Sequence, residues 1–291
     1  MKFAYYKAES VQEAMAMLGE FGDKGKIVAG GTDLLVGIQH GKYAAPEALV
    51  DISFIDELSQ LNAQNGDGLS IGATVTHGAV CKAPNIFEKF PALVEACSQL
   101  GSPQVRNLAT VGGNICNAAP SAETAPALVV LKAMARIAGP SGERQIELNE
   151  FFLGPSRTDI KQGEMLVNLQ LSEPAQGSGN AYFRLSPRNA LDIAIVNVAA
   201  YVKLNKDYAF EDVCICMGAV APTPLRASIA EKAMFGETFS EKLIREAGQL
   251  AKTHSVPITD VRASAEYRKE MVAVLTERAL TKAYERAKLN M

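Results

Sequence analysis

The chain lacks an apolar run long enough to cross a bilayer, which argues against a helical membrane protein. It also lacks an excess of either charge, since 29 basic and 32 acidic residues give a net charge of −3. A nucleic-acid-binding protein usually carries a basic face, so we expect no nucleic-acid partner. The N-terminal residues have no apolar stretch of the kind that a secretion signal needs, and we therefore expect a cytoplasmic protein.

Cysteine and histidine are sparse and irregularly placed. The five cysteines are an odd number at uneven spacing, and no C-x-x-C pair occurs. This excludes a disulfide framework and any sequence-local zinc or iron–sulfur signature. Cys214 and Cys216 would share one strand face, and we expect them to be small buried apolar residues. His40, His77 and His254 are too scattered for a metal motif, so we expect each to be structural or exposed.

Local patterns predict mixed helices and strands in the first part of the chain. Ser10 and Glu13 form a capping box that predicts the start of a helix. Apolar runs predict strands at 26–29, 49–52, 69–73 and 165–171, a hairpin of strands 133–138 and 143–148, and helices at 33–38, 92–100 and 126–131.

A segment rich in Pro, Gly and Ser at 173–180 predicts a linker, and the pattern changes after it. Alternating apolar residues predict a strand over 198–204, and another strand is predicted over 213–220. The chain from about Arg226 is predicted to be helical, with a long amphipathic stretch over 264–288. Strands followed by helices predict an α+β domain, so a chain of 291 residues is expected to have two domains.

Two glycine pairs, Gly30-Gly31 and Gly112-Gly113, are the most informative feature that is present. Glycine adopts backbone angles that other residues avoid, and its missing Cβ lets an anion approach the peptide N–H groups. Successive N–H groups form a concave site for phosphate oxygens. Taken singly, each pair is compatible with an ordinary turn. Two such turns from distant parts of the chain predict a clamp on a diphosphate, and hence a dinucleotide such as FAD held without a Rossmann fingerprint.

Both pairs belong to longer motifs that follow one another along almost the whole chain. The motifs are K-I-V-A-G-G-T-D at 26–33, P-Q-V-R-N at 103–107, A-T-V-G-G-N-I at 109–115, N-A-A-P-S-A-E at 117–123, A-L-D-I-A at 190–194, V-A-P-T-P at 220–224 and R-A-S-A-E-Y-R at 262–268. Together they resemble the medium, FAD-binding subunits of molybdenum hydroxylases. One glycine pair would be weak evidence, but two FAD loops and three C-terminal markers in order are specific.

Within this family the closest resemblance is to the FAD subunits of bacterial xanthine dehydrogenases, through G-G-N-I-C-N at 112–117 and the A-P-T-P turn. Carbon monoxide, nicotinate and aldehyde dehydrogenase relatives remain alternatives. The hydroxybenzoyl-CoA branch carries a cysteine-rich insertion for an iron–sulfur cluster. The span from Leu131 to Phe151 has no room for that insertion, which argues against this branch.

The resemblance implies an α+β fold with two domains. Residues 1–174 would form an FAD-binding domain of the vanillyl-alcohol-oxidase (PCMH) type with two α/β subdomains. Residues 175–291 would form an α+β domain of the CO dehydrogenase flavoprotein C-terminal type, an antiparallel sheet with helices. The FAD would lie between the two domains.

The resemblance also implies which residues contact FAD, and it implies no catalytic residue or metal site in this chain. The implied FAD-binding residues are Lys26, Ile27, Val28, Ala29, Gly30, Gly31, Thr32 and Asp33 of the first loop, Ala109, Thr110, Val111, Gly112, Gly113 and Asn114 of the second loop, and Glu123, Met165 and Arg184.

Four of these positions have simpler alternatives. Glu123, where most relatives have aspartate, would bind cofactor hydroxyls; the alternative is a helix N-terminal residue favoured by the dipole. Met165 would contact the cofactor through its backbone, or it is strand core. Arg184 would stabilise the anionic reduced ring, or it is a surface charge. Lys26 precedes the first loop, and its alternative is a solvated rim position.

The resemblance finally implies a complex. A molybdopterin-binding large subunit would hydroxylate a purine, and a small subunit with two [2Fe–2S] clusters would pass electrons to FAD on this chain and then to NAD⁺. A dimer of such heterotrimers is one possible assembly. The competing classes are a self-contained flavin oxidase, with covalent flavin on His40, His77 or Cys116, and an FAD-binding assembly protein without a redox role.

Overall fold

The computed structural model describes residues 3–64, 68–188 and 190–291. The strands are β1 (Ala4–Lys7), β2 (Gly25–Val28), β3 (Ala48–Asp51), β4 (Leu61–Gln64), β5 (Gly68–Gly72), β6 (Met134–Gly139), β7 (Gly142–Glu147), β8 (Phe152–Gly154), β9 (Arg157–Thr158), β10 (Met165–Leu171), β11 (Ser178–Leu185), β12 (Val196–Leu204), β13 (Phe210–Gly218) and β14 (Leu225–Arg226).

The α-helices are α1 (Val11–Phe21), α2 (Leu34–Gln39), α3 (His77–Cys81), α4 (Pro84–Lys89), α5 (Pro91–Gln99), α6 (Pro103–Arg106), α7 (Val111–Asn117), α8 (Thr124–Val130), α9 (Leu148–Phe151), α10 (Ser228–Met234), α11 (Glu241–His254) and α12 (Ala265–Leu289). Short 3₁₀ turns cover Gly22–Lys24 and Asp56–Ser59.

The first part of the chain forms two sheets that differ in strand direction. A parallel sheet has the order β1-β3-β2, and an antiparallel sheet has the order β4-β5-β10-β6-β7. The predicted helix start is confirmed, because the Ser10 hydroxyl accepts from the Glu13 N–H. The second bond of the capping box is shifted by one residue, since the Glu13 carboxylate accepts from the Glu9 N–H and not from that of Ser10. The predicted hairpin is confirmed as β6 and β7, which join at Gly139 and Gly142.

The last part of the chain is an antiparallel sheet, β11-β12-β13-β14, covered on one side by α10, α11 and α12. Its other side packs on α5 and α8, so Tyr182 and Ala199 belong to the core of the first part. Cys214 and Cys216 lie buried on that same side, as the two-residue strand period predicts. All five cysteines fall within the described ranges, and all are free thiols.

These elements confirm the α+β fold class. The predicted linker at 173–180 is wrong for its last three residues, because β11 begins at Ser178. The Ser178 and Asn180 side chains are buried there, and the Asn180 amide oxygen accepts from the Ala92 N–H at 2.8 Å. A local composition typical of loops is overridden by this contact with α5.

Candidate functional site

A cavity of about 1160 Å³ lies where the two sheets of the first part meet one end of the C-terminal sheet. Its wall includes the end of β2, the start of α7, part of β10 and the loop before β12. All the predicted site residues except Val111 and Arg184 line it. The volume slightly exceeds the roughly 300–1,000 Å³ of common small-molecule pockets, which suits a long ligand.

The first glycine segment, residues 29–33, connects β2 to α2. Gly31 has φ +68°, the left-handed region that glycine enters without steric cost, and its carbonyl accepts the Leu35 N–H at 3.0 Å. The N–H groups of Gly30, Gly31, Thr32 and Asp33 have no acceptor among the residues that the structure describes. Successive unpaired N–H groups beside a cavity form the kind of nest that binds an anion.

The second glycine segment, residues 109–114, contains the first turn of α7 and is not the isolated turn that we predicted. Thr110 caps this helix, and its hydroxyl accepts the Gly113 N–H at 2.9 Å. The Val111 N–H donates to the Val75 carbonyl at 2.9 Å, and the Val111 side chain is fully buried in the core. Val111 therefore offers neither its N–H nor its side chain to the cavity, and its role in FAD binding stays a prediction.

Glycine is required in each segment by a neighbouring backbone. A Cβ on Gly30 would lie 2.0 Å from the Leu108 carbonyl oxygen, and a Cβ on Gly112 would lie 2.5 Å from the Ala73 carbonyl oxygen. Neither distance is sterically possible, because real Cβ atoms do not approach closer than 3.0 Å. Gly30 thus lets the two segments touch each other, and Gly112 lets α7 rest on the end of β5.

Two carboxyl groups line the cavity under conditions that favour their neutral forms. Burial raises the pKa of Glu123 to about 7, although the Arg184 guanidinium 3.7 Å away favours ionisation. Burial also raises the pKa of Asp33, against the attraction of Lys42. Near its pKa the Glu123 carboxyl group can donate as well as accept a hydrogen bond, and the Asp33 carboxyl group can accept one in either form, so both groups can bind ligand hydroxyls.

Arg184 lies behind Glu123 and away from the cavity. Its side chain is 2 % exposed, and it donates to the carbonyls of Gln99 and Asp192. The alternative of a surface charge is therefore wrong, and the guanidinium acts on the site through Glu123. Met165 is both strand core and cavity wall, whereas Lys26 is exposed at the rim.

Residues 1–173 match the FAD binding domain in molybdopterin dehydrogenase, and residues 181–283 match the CO dehydrogenase flavoprotein C-terminal domain. The chain belongs to the family of FAD subunits of molybdenum hydroxylases. It is 31% identical to the carbon monoxide dehydrogenase medium chain of Hydrogenophaga pseudoflava over 98% of both chains. It is 29% identical to the xanthine dehydrogenase FAD-binding subunit of Escherichia coli O157:H7, over 96% of this chain and 95% of that one. A solved carbon monoxide dehydrogenase from H. pseudoflava superposes with a TM-score of 0.93 at 31% identity, covering 98% of both chains.

The residues present in this FAD subunit fit the cofactor that the family carries. The unpaired N–H groups of the first segment match the needs of a diphosphate. The Asn114 side-chain oxygen accepts from the Thr124 hydroxyl at 2.6 Å, which leaves its amide N–H groups for a ligand. Thr32, Asn114 and Glu123 together offer polar groups for cofactor hydroxyls.

Sequence reasoning missed cavity residues that come together only through tertiary contacts. Tyr43 donates to the Asn117 side-chain oxygen at 3.2 Å, and its ring fills the space beside Gly37, so it joins α2 to α7. Ile193 lines the opposite part of the cavity beside Gly101, because the Leu191 N–H donates to the Gly101 carbonyl at 3.1 Å. The A-L-D-I-A motif contained a signal for Ile193, but the sequence around Tyr43 contained none.

Within residues 3–64, 68–188 and 190–291, no helix is long and apolar enough to span a membrane. No group of three or more His, Cys, Asp or Glu side chains there is arranged to hold a metal ion.

Proposed function

We propose that the two glycine segments hold the diphosphate of FAD between them. The observation that carries this proposal is the run of unpaired N–H groups from Gly30 to Asp33, directly beside the capped start of α7. Backbone donors fixed by a left-handed glycine and a helix cap bind an anion without a large ordering cost. Glu123 and Asn114 would then bind cofactor hydroxyls, and Met165 would contact the cofactor along β10.

Bound FAD would supply the ability to accept electrons one at a time and pass them on in pairs. This chain's residues bind and orient the cofactor, and the Arg184–Glu123 pair sets the charge beside it. We assign the cofactor-binding role mainly to residues 1–174 and the covering of its open side to residues 175–291.

We further propose a complex in which a small [2Fe–2S] subunit donates electrons and a large molybdopterin subunit hydroxylates a purine such as xanthine, with NAD⁺ as the final acceptor. The match to a xanthine dehydrogenase FAD-binding subunit supports this assignment. A dimer of heterotrimers and a cytoplasmic location belong to the same proposal.

A second candidate is a complex with another substrate, such as carbon monoxide, an aldehyde or nicotinate. The match to a carbon monoxide dehydrogenase medium chain is equally long, and it supports this second candidate. The FAD cavity does not discriminate between the two candidates, because the hydroxylated substrate would bind on another subunit.

A self-contained oxidase with covalent flavin is disfavoured. His77 is fully buried and its Nδ1 bonds the Ala109 carbonyl. Burial raises the pKa of Cys116 to about 12, so its thiol is not a ready nucleophile. His40 is exposed and does not belong to the cavity wall.

The test is a visible absorption spectrum of the protein purified with its native partner subunits. We expect a flavin band that bleaches anaerobically with NADH and, separately, with xanthine. Bleaching by NADH but not by xanthine would support NAD⁺ as the acceptor and would favour the second candidate, a complex with another substrate. A band that NADH does not change would remove NAD⁺ as the acceptor, and absence of flavin after reconstitution with FAD would overturn the FAD site.

A further inference from the structure

His77 binds the second glycine segment through one carbonyl group. Its ring is fully buried, and its Nδ1 lies 2.8 Å from the carbonyl oxygen of Ala109. The backbone N–H of the same histidine donates to that oxygen at 3.0 Å. Both donors of His77 therefore meet on the carbonyl immediately before Thr110, the residue that caps α7.

The neighbouring residues extend this contact into a short piece of antiparallel pairing. Thr76 forms a bridge with Thr110, and the Val75 carbonyl accepts the Val111 N–H at 2.9 Å. Ala109 in turn lies against the first segment, since its Cα is 3.1 Å from the position of a Cβ on Gly30. The histidine thus sits behind the point where the two glycine segments touch.

The contact fixes the tautomer of the ring. A carbonyl oxygen only accepts, so Nδ1 must carry the proton and Nε2 is an acceptor. Nε2 is buried without a partner among the described residues, and a proton there would be an unsatisfied buried donor. Burial accordingly lowers the pKa of His77 to about 4, although its bond to Ala109 favours the charged form. The ring is therefore a neutral donor at physiological pH.

We infer that His77 is a positioning residue for the cofactor site, because its Nδ1–H holds the Ala109 carbonyl and thereby sets where the second glycine segment begins. This inference rests on the proposed function, in that it requires FAD in the cavity. His77 lines the cavity wall but makes its defining bond to the protein, so it acts on the cofactor through the backbone of residues 109–113.

Three substitutions of His77 distinguish the effect of the Nδ1–H hydrogen bond from the effect of the volume of the ring. His77→Asn carries an N–H donor on the atom bonded to Cγ, which is where Nδ1 stands, whereas His77→Gln moves its donor one bond further out. His77→Leu keeps apolar volume and has no donor. The full chain, with any partner subunits that stay bound, would be titrated with FAD by fluorescence, and the visible circular dichroism of the bound flavin would be recorded.

We expect His77→Asn to bind FAD within about threefold of the unsubstituted chain and to keep its flavin dichroism. The Gln and Leu variants should bind up to about tenfold more weakly, the upper range for loss of one hydrogen bond, because the backbone N–H of residue 77 still donates to the Ala109 carbonyl. If the Leu variant does not fold, the contrast between Asn and Gln decides the matter.

Two results would overturn the inference. One is equal weakening in the Asn and Gln variants, and the other is unchanged FAD affinity in every folded variant, even where thermal stability falls. An unsubstituted chain that binds no FAD would instead remove the proposed function itself. The two failures are therefore distinguishable by the behaviour of the unsubstituted chain.

Discussion

Replacement of Gly30 by alanine tests the contact between the two glycine segments. The added Cβ would lie 2.0 Å from the Leu108 carbonyl oxygen, 2.7 Å from its carbonyl carbon and 3.1 Å from the Ala109 Cα. All three are backbone atoms, so no side-chain rotation can relieve the overlap. The segments would have to separate by about 1 Å to bring the oxygen to the 3.0 Å limit. We expect a loss of about 1–3 kcal/mol in unfolding free energy, the range for overpacked sites.

The same displacement should weaken FAD binding by tenfold or more, because it moves two sets of donors apart. The assay is a fluorescence titration with FAD, paired with urea unfolding of the apoprotein. Gly19→Ala is the matched control, since a Cβ there meets nothing within 4 Å and the residue lies within α1. Alanine should stabilise that helix by about 0.5–1 kcal/mol and leave FAD affinity unchanged. A Gly30→Ala variant that binds FAD and unfolds like the unsubstituted chain would refute the contact argument.

Three other predictions concern the site and its supports. Thr110→Ala removes the cap on the Gly113 N–H and should cost about 1 kcal/mol in urea unfolding and weaken FAD binding, whereas Thr110→Ser should restore both; equal losses in the two variants would contradict the capping role. Glu123→Gln should stabilise the apoprotein relative to the unsubstituted one progressively from about pH 4.5 to 7, by up to about 3 kcal/mol, with no further gain above that pH. The reason is that the folded chain keeps the Glu123 proton up to a pKa of about 7 whereas the unfolded chain releases it near 4.5, so the folded state loses stability between these values; parallel stability–pH curves would contradict this. Asp260→Asn should lower the urea-unfolding free energy by about 1–3 kcal/mol, because it leaves the buried Arg268 guanidinium with carbonyl partners only; an unchanged free energy would contradict it.

Local sequence signals predicted most of the framework because they act within a few residues. The capping box at Ser10 and the alternation in β12 are examples, and their predicted bounds lie close to those of the structure. The sequence predicts a turn at the Gly112 pair, whereas the structure places both glycines in the first turn of α7, although glycine has a low helix propensity. The Thr110 cap and the close approach of Ala73 override that preference, and both depend on the fold around α7.

The candidate site was predictable in its segments but not in its internal contacts. The motif around Gly30 correctly predicted that this segment lines the cavity. Its contact with Leu108 could not be predicted, because the two residues are far apart along the chain. Arg184 was placed near the cofactor by resemblance, and the packing of β11 on α5 instead buries it behind Glu123. His77 had no recognisable motif, because its importance comes from a carbonyl 32 residues away.

The most direct test of the FAD clamp is amide hydrogen exchange of the full chain, followed by mass spectrometry with and without FAD. The N–H groups of residues 30–33 have no acceptor among the described residues, so they should exchange rapidly in the apoprotein. We predict that FAD slows their exchange, and that it slows exchange at 110–114, where the second segment begins α7. Binding of FAD with no change at either segment, and protection elsewhere, would contradict the account.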